Sequence, residues 1–479
     1  MQYENLKPDR VFYYFKKISE IPHGSGNTSA IADFCEDFAK THNLKCLRDA
    51  VNNIIIFKDG TVGYEQSEPI ILQGHLDMVC QKTPDCDIDF ERDGLNIYVD
   101  GDFIKARGTT LGADNGIAVA MVLAILESND ISHPPIEAVF TIDEETGMIG
   151  ALAIDTSVLL GTRMINLDSE TEGNITVSCA GGSDFEAFLP ISTQIAYGQK
   201  ITVDIGGLKG GHSGVEINQN RINANMLAGR ILNELDKKVR FDIISINGGD
   251  KANAIPNRCI VEICAENANE VTLALQSIYG DIKTEISDCE NDFSLTTTVV
   301  KAKEYACFNN DTKSKLICTL LCAPNGITEM SASIKGLVQT SLNLGILKTE
   351  NENIILHFAL RSNKLSALRF LEKRLIAFFE MLDAPHKVFG LYPAWEYREN
   401  SPLRDMCCRS YYELSENNAR VMAIHAGLEC GVFASKIKDF DCVSMGPSMH
   451  DVHTTRERLS ISSTERFYTM LLKILEKLK

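Results

Sequence analysis

Histidine and aspartate stand two residues apart, directly after an apolar run, in the segment PIILQGHLDMV, which contains His75 and Asp77. Side chains two positions apart on an extended chain point to the same side. Asp77 can therefore reach one ring nitrogen of His75 and fix its tautomer while the other nitrogen binds a metal ion. Taken alone, the pattern also fits a surface His-x-Asp pair.

The segment GTTLGADNGIAVAMVLAIL places Asp114 between a glycine-rich loop and a long apolar stretch. An aspartate at such a position is commonly the N-cap of a helix. The glycines at positions 108, 112 and 116 are more than a cap requires, so Asp114 is also a candidate metal ligand.

Three adjacent acidic residues, Asp143, Glu144 and Glu145, follow the apolar run in AVFTIDEETGMIG. Adjacent carboxylates at a strand end repel one another unless a cation is present. Neighbouring side chains of an extended segment face opposite ways, so one glutamate can bind a metal ion while the next acts as general base on a water molecule. A solvated acidic turn would have the same composition.

Two further segments complete the set of candidate ligands. RMINLDSE ends an apolar run on Asp168, and DCVSMGPSMHDVHTT carries His450 and His453 after the last apolar run. Two imidazoles and three carboxylates near strand ends can build two zinc-like sites that share one bridging carboxylate. In open α/β sheets, ligands bind at the carboxyl ends of the strands, which is where these segments fall.

Short apolar runs alternate with helical patterns over residues 1–184, and this alternation predicts an α/β fold with a largely parallel central sheet. A first helix leads into a loop near residue 22. The predicted strands are 54–57, 69–73, 138–142, 164–167 and 174–177, and the predicted helices are 30–40 and 115–126.

Residues 185–387 follow a different order, strand–helix–strand–strand–helix, and this order occurs twice. The first unit is 200–205, 222–235, 242–246, 259–264 and 269–279, and the second is 295–301, 312–321, 336–342, 354–360 and 365–382. We therefore expect an inserted α+β domain of two similar halves, which interrupts a domain made of 1–184 and 388–479. The last part of the outer domain is predicted to hold a helix at 406–419 and a final strand at 442–444.

Composition excludes several classes of protein. The 479-residue chain carries 65 acidic and 47 basic side chains, a net charge of −18, which argues against nucleic acid or an anionic membrane as the main partner. It has no apolar run near about 18 residues, no signal-peptide pattern at its N-terminus, no phosphate-binding G-x-x-x-x-G-K-[ST] and no G-x-S-x-G. Its 15 cysteines include no Cys-x-x-Cys pair, so we expect free thiols and a cytoplasmic protein.

A resemblance to a known family rests on longer segments: GHLDMV, GTTLGADNGIAVA, DEETGMIGA, INLDSE, CAGG, GGHSGVEINQNRINAN and HAGLECG. These segments resemble those of the aminoacyl-histidine (Xaa-His) dipeptidases of the co-catalytic zinc metallopeptidase clan. The resemblance runs from IPHGSGN to DVHTT, nearly the whole chain. It implies that the outer domain is catalytic and that the inserted domain is a lid.

The resemblance also implies two divalent metal ions, zinc in the first place, with cobalt or manganese compatible with the same ligands. Asp114 would bridge the two ions, Glu145 and His453 would complete one site, and His75 and Asp168 would complete the other. His450 departs from the family pattern. His453 fits the spacing to the Gly-Pro pair better, but a ligand at His450 would rearrange the last site.

The activity implied is hydrolysis of dipeptides with a free amino terminus, including Xaa-His dipeptides such as carnosine, by a water molecule that two zinc ions activate. Glu144 would be the general base, which then passes the proton to the leaving amine, and Asp77 would orient His75. His212, in GGHSG on the lid, would donate to the developing oxyanion. Without the resemblance, His212 reads as a turn histidine.

Four residues are implied to contact the substrate. Arg361, in HFALRSN, would bind the terminal carboxylate, although a surface salt bridge is the alternative. Asn253 is a weaker candidate from the same domain, and His425 and Glu429, in AIHAGLECG, would return to the catalytic domain and contact the substrate.

Other functions stay open alongside the dipeptidase. An N-acyl amino acid amidohydrolase of the same clan would use a similar centre, and a non-catalytic metal- or peptide-binding relative would keep the fold. The second alternative predicts loss of Glu144, Asp114 or other ligands, and all of these are present. The partners expected are small dipeptides, with neither nucleic acid nor membrane, and a homodimer is compatible with the chain but not required.

Overall fold

The computed structural model, which describes residues 3–332 and 334–479, groups the chain into two units. The first comprises Met1–Cys179, Trp395–Ala423 and Leu428–Lys479. The second comprises Ala180–Ala394 and Ile424–Gly427. The sequence places the boundaries at 184/185 and 387/388 and keeps 424–427 in the outer domain, whereas here the short return segment belongs to the second unit.

The elements of the first unit up to Cys179 follow the predicted order, and each predicted strand or helix of this part has an observed counterpart. They are α1 (Asp9–Ser19), α2 (Ser29–Thr41), β1 (Lys45–Arg48), β2 (Ile54–Lys58), β3 (Ile70–His75), β4 (Ile97–Asp100), β5 (Phe103–Ala106), α3 (Ala113–Glu127), β6 (Ile136–Thr141), α4 (Ile149–Ala153), β7 (Arg163–Asn166) and β8 (Asn174–Cys179).

The second unit contains the predicted repeat of strand, helix, two strands and helix, with further strands added. Its elements are β9 (Gly181–Pro190), β10 (Thr193–Gly206), β11 (Gly211–His212), α5 (Ala224–Asp236), β12 (Asp242–Gly248), β13 (Ala254–Ile255), β14 (Cys259–Ala265), α6 (Ala268–Ile286), β15 (Ser294–Phe308), α7 (Asn310–Cys322), β16 (Gly326–Met330), β17 (Val338–Glu350), β18 (Asn353–Ser362), α8 (Leu365–Glu380) and β19 (His386–Tyr392).

The C-terminal elements are α9 (Pro402–Ser415), β20 (Arg420–Ile424), α10 (Glu429–Lys436), β21 (Asp441–Ser444), β22 (Met449–His450), β23 (Arg458–Ser460) and α11 (Ile461–Lys477). Two predictions are wrong in this part. The helix predicted to reach residue 419 ends at Ser415, because Glu416 adopts a left-handed conformation with φ of 56°. The strand predicted to be the last is followed by β22 and β23.

The main sheet of the first unit has the strand order β1-β2-β6-β3-β7-β21-β8-β20. Its centre, β6-β3-β7-β21, is parallel, and the pairs β1-β2, β2-β6 and β21-β8 are antiparallel. The predicted largely parallel sheet is therefore mixed. The short turn between β1 and β2 is one reason, because a turn of that length can join only antiparallel neighbours.

Helix α3 is buried from Ala113 to Leu126 and packs against β3 and α1. Its sequence is apolar on every face, which is typical of a helix enclosed on all sides. The contact with β3 is close at Gly74, where a Cβ atom would lie 2.4 Å from Asn115 Oδ1 and 3.0 Å from Ala118 Cβ. The start of α3 and the end of β3 are therefore held in direct contact.

The larger sheet of the second unit runs β15-β10-β14-β12-β17-β18-β9-β19, with β16 on β17. The first strands of the two repeats, β10 and β15, pair antiparallel from Thr193↔Phe308 to Gly206↔Ser294. Both are much longer than predicted, because polar residues continue the strands where the apolar pattern stops. A separate apolar core of helices α5–α8 and the sheet supports this unit.

None of the helices in the described ranges has both the length and the apolar composition that crossing a membrane requires.

Substituting Gly74 by alanine tests the close packing of β3 on α3. The added methyl group would displace Asn115 or Ala118, and overpacking of this kind costs about 1–3 kcal/mol. We expect a lower midpoint of thermal unfolding, measured by circular dichroism. The matched control is Gly280→Ala in α6, where a Cβ atom meets nothing within 4 Å and alanine favours the helix. Equal midpoints for the two variants would contradict the prediction.

Candidate metal centre

The carboxyl ends of four neighbouring strands meet at one edge of the first unit's sheet. In the registers of these strands His75 pairs with Thr141, Gln73 with Asn166, and Ser444 also with Asn166. The loops that follow β3, β6, β7 and β21 therefore start side by side. Because β21 lies next to β7, the loop that follows β21 starts beside the loops that follow β3, β6 and β7.

His75 lies at the centre of the first cluster and is buried. Its Nδ1 atom is 3.0 Å from the carbonyl oxygen of Asp77 and 3.4 Å from Asp77 Oδ1. Its Nε2 atom is 3.4 Å from Asp114 Oδ1 and 3.5 Å from Asp168 Oδ1. One ring nitrogen thus faces Asp77, the predicted orienting residue, and the other faces two carboxylates that could share a cation with it.

The second cluster contains Asp114, Glu145 and His453. His453 Nε2 lies 3.1 Å from Asp114 Oδ2 and 2.7 Å from Glu145 Oε1. Asp114 therefore presents one carboxylate oxygen to each histidine, Oδ1 to His75 and Oδ2 to His453. This is the arrangement that a bridging carboxylate requires.

The donor atoms fit a pair of metal ions. Among the described residues, three groups have one donor atom from each member within 4.8 Å of the others: His75, Asp114 and Asp168; His75, Glu144 and Glu145; and Asp114, Glu145 and His453. Imidazole nitrogen and carboxylate oxygen are ligands of zinc and also of other first-row divalent ions. The groups share His75, Asp114 and Glu145, as expected for two adjacent ions rather than one.

Opposed electrostatic effects act on these side chains. Burial raises the pKa of Asp168 to about 8, against the attraction of His75. Burial also acts to raise the pKa of Asp114, but hydrogen bonds with His453 and His75 hold it well below its usual value. Hydrogen bonds to Asp114 and Glu145 raise the pKa of His453 to about 11. The acids thus stabilise positive charge on the imidazoles. A bound metal ion would supply this positive charge instead, and the imidazoles would then be neutral.

Glu144 differs from its neighbour Glu145 in its surroundings. Burial raises the pKa of the Glu144 carboxyl well above its usual value, and Asp168, Glu429 and Glu145 raise it further, while His75 opposes the shift. A carboxylate with a raised pKa beside a metal site is suited to accept and return a proton near neutral pH.

Asp77 is held by the N-terminal loop as well as by the segment after β6. Its Oδ2 accepts a hydrogen bond from Ser25 Oγ (2.8 Å), and its Oδ1 accepts one from the backbone N–H of Glu144 (3.0 Å). The N–H of Gly26 in turn donates to Asp143 Oδ1 (2.6 Å). The N-terminal loop thus fixes Asp77 and the turn that carries Glu144.

Asn115 connects the ends of two central strands. Its Oδ1 accepts from the backbone N–H of His75 (3.2 Å), and its Nδ2 donates to the carbonyl of Leu167 (2.9 Å). The residue next to Asp114 therefore ties the positions of His75 and Asp168 together.

Glu429 lies in a buried polar network of the first unit rather than on its surface. Its Oε2 accepts from Gln73 Nε2 (2.5 Å) and Thr141 Oγ1 (2.7 Å), and its Oε1 has no hydrogen-bond partner among the described residues. Burial raises the pKa of Glu429 to about 7, while His75 opposes the shift. The residue is thus part of the polar base beneath His75, and the sequence gives no sign of this.

The structure distinguishes the two histidines of the last loop. His450 lies in β22, is exposed and contacts the ring of Phe103 edge-on at 5.8 Å. His453 lies in the turn between β22 and β23 and contacts Asp114 and Glu145. The arrangement with His450 as ligand therefore has no support in the geometry.

The remaining predicted residues belong to the second unit. His212 Nδ1 accepts hydrogen bonds from the backbone N–H groups of Gly214 (3.1 Å) and Val215 (3.2 Å), so the proton of a neutral ring resides on Nε2. Burial and the charge of Arg361 lower the pKa of His212. The side chain of Asn253 is exposed, and its carbonyl accepts from the N–H of Ser213.

Arg361 and His425 are buried in the second unit, although His425 was expected in the catalytic domain. Arg361 donates to the hydroxyl of Tyr392 (2.8 Å), and its Nε atom has no hydrogen-bond partner in the part of the chain that the structure describes. His425 Nε2 lies 2.7 Å from Ser341 Oγ. Burial, together with Arg361 and His212, lowers the pKa of His425 to about 3, so this imidazole is neutral.

Ser25, Asn115 and Glu457 contact the centre but were not predicted to do so. The sequence carries a weak signal for each, since Ser25 lies in IPHGSGN, Asn115 follows Asp114 directly, and Glu457 stands four residues after His453. Such signals do not reveal which backbone groups a side chain will meet.

Comparison with known proteins defines the class of the protein. Residues 71–477 match peptidase family M20/M25/M40, and the chain therefore belongs to this family of metallopeptidases. Peptidases of this family depend on metal ions, in agreement with the donor groups described above.

Two relatives resemble the chain over nearly its full length. The cytosol non-specific dipeptidase of Escherichia coli K12 is 36% identical over 477 residues, which cover 99% of this chain and 98% of that protein. The crystal structure of aminoacylhistidine dipeptidase from Vibrio alginolyticus is 33% identical, covers 100% of this chain and 98% of that chain, and has a TM-score of 0.90. The predicted family and fold class, an α/β domain interrupted by an inserted α+β domain, are thus confirmed.

A tripeptidase structure from Staphylococcus aureus shares the fold at 16% identity, with a TM-score of 0.56 and coverage of 99% of each chain.

Replacement of Asp77 by asparagine tests the hydrogen bonds that orient His75. Asparagine keeps the size but loses one acceptor oxygen, so His75 and the Glu144 turn lose a fixed partner. Loss of such a partner typically lowers metal affinity about 10–100-fold. Zn²⁺ affinity is measured by competition with a chelator. The control Asp441→Asn alters a buried aspartate that also accepts from one serine hydroxyl (Ser401) and one backbone N–H (Leu403) but lies at the amino end of β21, and we expect its affinity to match wild type.

Proposed function

We propose that the protein is a dipeptidase that hydrolyses dipeptides with a free amino terminus, Xaa-His dipeptides such as carnosine among them, with the help of two metal ions. The observation that carries the proposal is the placement of Asp114 between His75 and His453, with Glu144 beside them. The names of the two full-length relatives support the substrate class. The name of the first also supports a cytosolic location.

The metal ligands proposed are the five residues of the two clusters. His75 and Asp168 would hold one ion, Glu145 and His453 the other, and Asp114 both. Zinc is the metal we propose, and cobalt and manganese suit the same donors. When bound, two such ions lower the pKa of water towards about 7 and polarise a peptide carbonyl.

Glu144 is the proposed general base. Its carboxylate would take a proton from the attacking water and pass it to the nitrogen of the leaving amine. The pKa of this carboxyl is raised mainly by burial, which favours both transfers near neutral pH. The hydrogen bond from the backbone of Glu144 to Asp77 holds the turn that carries the base.

His212 is proposed to stabilise the oxyanion. Because Nδ1 accepts two backbone hydrogen bonds, Nε2 is left as a donor without need of a second proton. Its lowered pKa keeps the ring neutral at physiological pH. A preorganised donor of this kind stabilises charge that develops on a carbonyl oxygen during attack.

Arg361 is proposed to bind the terminal carboxylate of the dipeptide. No carboxylate within the described residues lies at salt-bridge distance from this buried guanidinium. A buried charge without a counter-ion is costly, and an anionic ligand would compensate it. Contacts of Asn253, His425 and Glu429 with the substrate stay predictions, as do a homodimer and the absence of nucleic-acid and membrane partners.

Substitution of Glu144 by alanine separates catalysis from metal binding. Loss of the general base should lower kcat about 10²–10⁴-fold, because proton transfer contributes a factor of this size. Both ions should stay bound, as measured by elemental analysis of the dialysed protein. Glu465→Ala, an exposed change on α11, serves as control and should keep full activity. Unchanged turnover of Ala-His and β-Ala-His in Glu144→Ala would exclude the assignment.

Arg361 is tested with substrates that have or lack a terminal carboxylate. For Arg361→Lys we expect an increase in KM of about tenfold or more for Ala-His, since a bidentate contact is lost. KM for Ala-His amide should hardly change. Arg369→Lys, on the exposed side of α8, is the control. An equal effect on both substrates would argue for a packing role instead.

The same wild-type preparation, loaded with Zn²⁺, distinguishes a dipeptidase from an acyl amino acid hydrolase. We expect kcat/KM for Ala-His and β-Ala-His to exceed that for N-acetylhistidine, and the reverse order would refute the proposal.

A further inference from the structure

Four consecutive backbone N–H groups converge on the carboxylate of Glu457. Its Oε2 accepts from Leu111 (2.7 Å) and Gly112 (3.2 Å), and its Oε1 accepts from Ala113 (2.9 Å) and Asp114 (3.4 Å). The glutamate is 3% exposed. Both carboxylate oxygens are therefore committed to the loop that carries Asp114.

Helix α3, which follows this loop, has no side-chain cap at its own N-cap position. Gly112 precedes α3 in a left-handed conformation, with φ of 66°, and no side chain at this position caps the helix. Asp114 departs from helical geometry, with ψ of 102°. The first N–H groups of a helix need partners from elsewhere, and here Glu457 provides them from a position 343 residues away from Asp114.

Glu457 is also fixed with respect to His453. The turn between β22 and β23 is closed by hydrogen bonds from Thr454 N to the carbonyl of Asp451 (3.2 Å) and from Glu457 N to the carbonyl of Thr454 (3.1 Å). Arg456 N donates to Thr454 Oγ1 (3.1 Å). His453 and Glu457 therefore lie in two successive hydrogen-bonded turns that share Thr454.

The segments around Asp114 and His453 are therefore joined at two points. His453 Nε2 contacts the side chain of Asp114, and Glu457 accepts hydrogen bonds from the backbone of Asp114 and of the three residues before it. We propose that Glu457 is a positioning residue that sets the distance between Asp114 and His453, and so controls metal binding at the site these two share. The inference rests on the proposed two-ion centre, which is tested separately by the number of ions that the wild-type protein binds.

The test is the variant Glu457→Gln. An amide has one acceptor oxygen, and its NH₂ group would face two backbone N–H donors. Two of the four hydrogen bonds would therefore be replaced by repulsive contacts. Zn²⁺ is titrated calorimetrically into metal-free protein, and the visible spectrum of the Co²⁺-loaded protein reports ligand geometry. We expect two ions in wild type and, in the variant, a Kd about 10–100-fold higher for at least one ion with an altered Co²⁺ spectrum.

The matched control is Glu137→Gln. Glu137 is likewise 3% exposed, lies in the same unit, and accepts two backbone hydrogen bonds, from Leu160 (2.8 Å) and Gly161 (3.0 Å), in a loop apart from the centre. Its replacement should lower the thermal midpoint but leave both Zn²⁺ affinities and the Co²⁺ spectrum unchanged. Glu457→Asp, which keeps the charge but is one methylene shorter, should fall between wild type and Glu457→Gln.

Each outcome decides between the alternatives. A wild-type protein that binds fewer than two ions would refute the two-ion centre itself. Two ions in wild type and unchanged affinities in folded Glu457→Gln would overturn the role of Glu457 alone. Loss of folding in both Glu457 variants would also overturn it, because the residue would then support stability rather than the position of a ligand.

Discussion

Repulsion between carboxylates is the constraint on which the centre of the first unit depends. Asp114, Glu144, Glu145 and Asp168 lie within a few ångströms of His75 or His453, and burial makes their charges more costly than in water. Two imidazoles offset only part of this charge. A site of this kind holds its geometry only if the acids are fixed from behind, and this need explains the parallel centre of the sheet, which brings the ends of β3, β6, β7 and β21 to one edge.

The side chains and loops of this centre are held in place mainly by uncharged hydrogen-bond donors. Asp77 accepts from the backbone of the Glu144 turn and from Ser25, Asn115 bridges the ends of β3 and β7, and four backbone N–H groups meet Glu457. Backbone N–H and side-chain amide groups orient a carboxylate without neutralising its charge. A lysine or arginine would orient it and also neutralise it. These contacts hold the backbone of the segments that carry Asp114, Glu144 and Asp168, so the side chains of these three acids stay available to a cation. Gln73 and Thr141, which donate to Glu429, extend the same principle one layer deeper.

The sequence predicts local elements well because apolar runs of about four to eight residues between turn residues have the length of strands and are shorter than most helices. The runs ending at His75, Thr141 and Asn166 are such cases. Pairing over long separations is not encoded in the same way. Nothing near residue 442 shows that β21 inserts between β7 and β8, and polar residues conceal the full lengths of β10 and β15 until their mutual pairing is known. Glu457 escaped prediction for the same reason, since its partners are backbone groups more than 340 residues away, which have no side-chain signature.

Two clusters of polar side chains, one in each unit, differ in charge. The cluster of the first unit concentrates carboxylates, whereas the cluster around Arg361 in the second unit contains a buried guanidinium and two imidazoles kept neutral by burial and by that guanidinium. Neutral imidazoles beside Arg361 have a physical advantage, because a second positive charge would raise the cost of burying the first. They can still donate through a ring N–H, as His212 Nε2 does by its tautomer. The cluster around Arg361 therefore combines one buried positive charge with neutral donors, an arrangement that suits an anionic group.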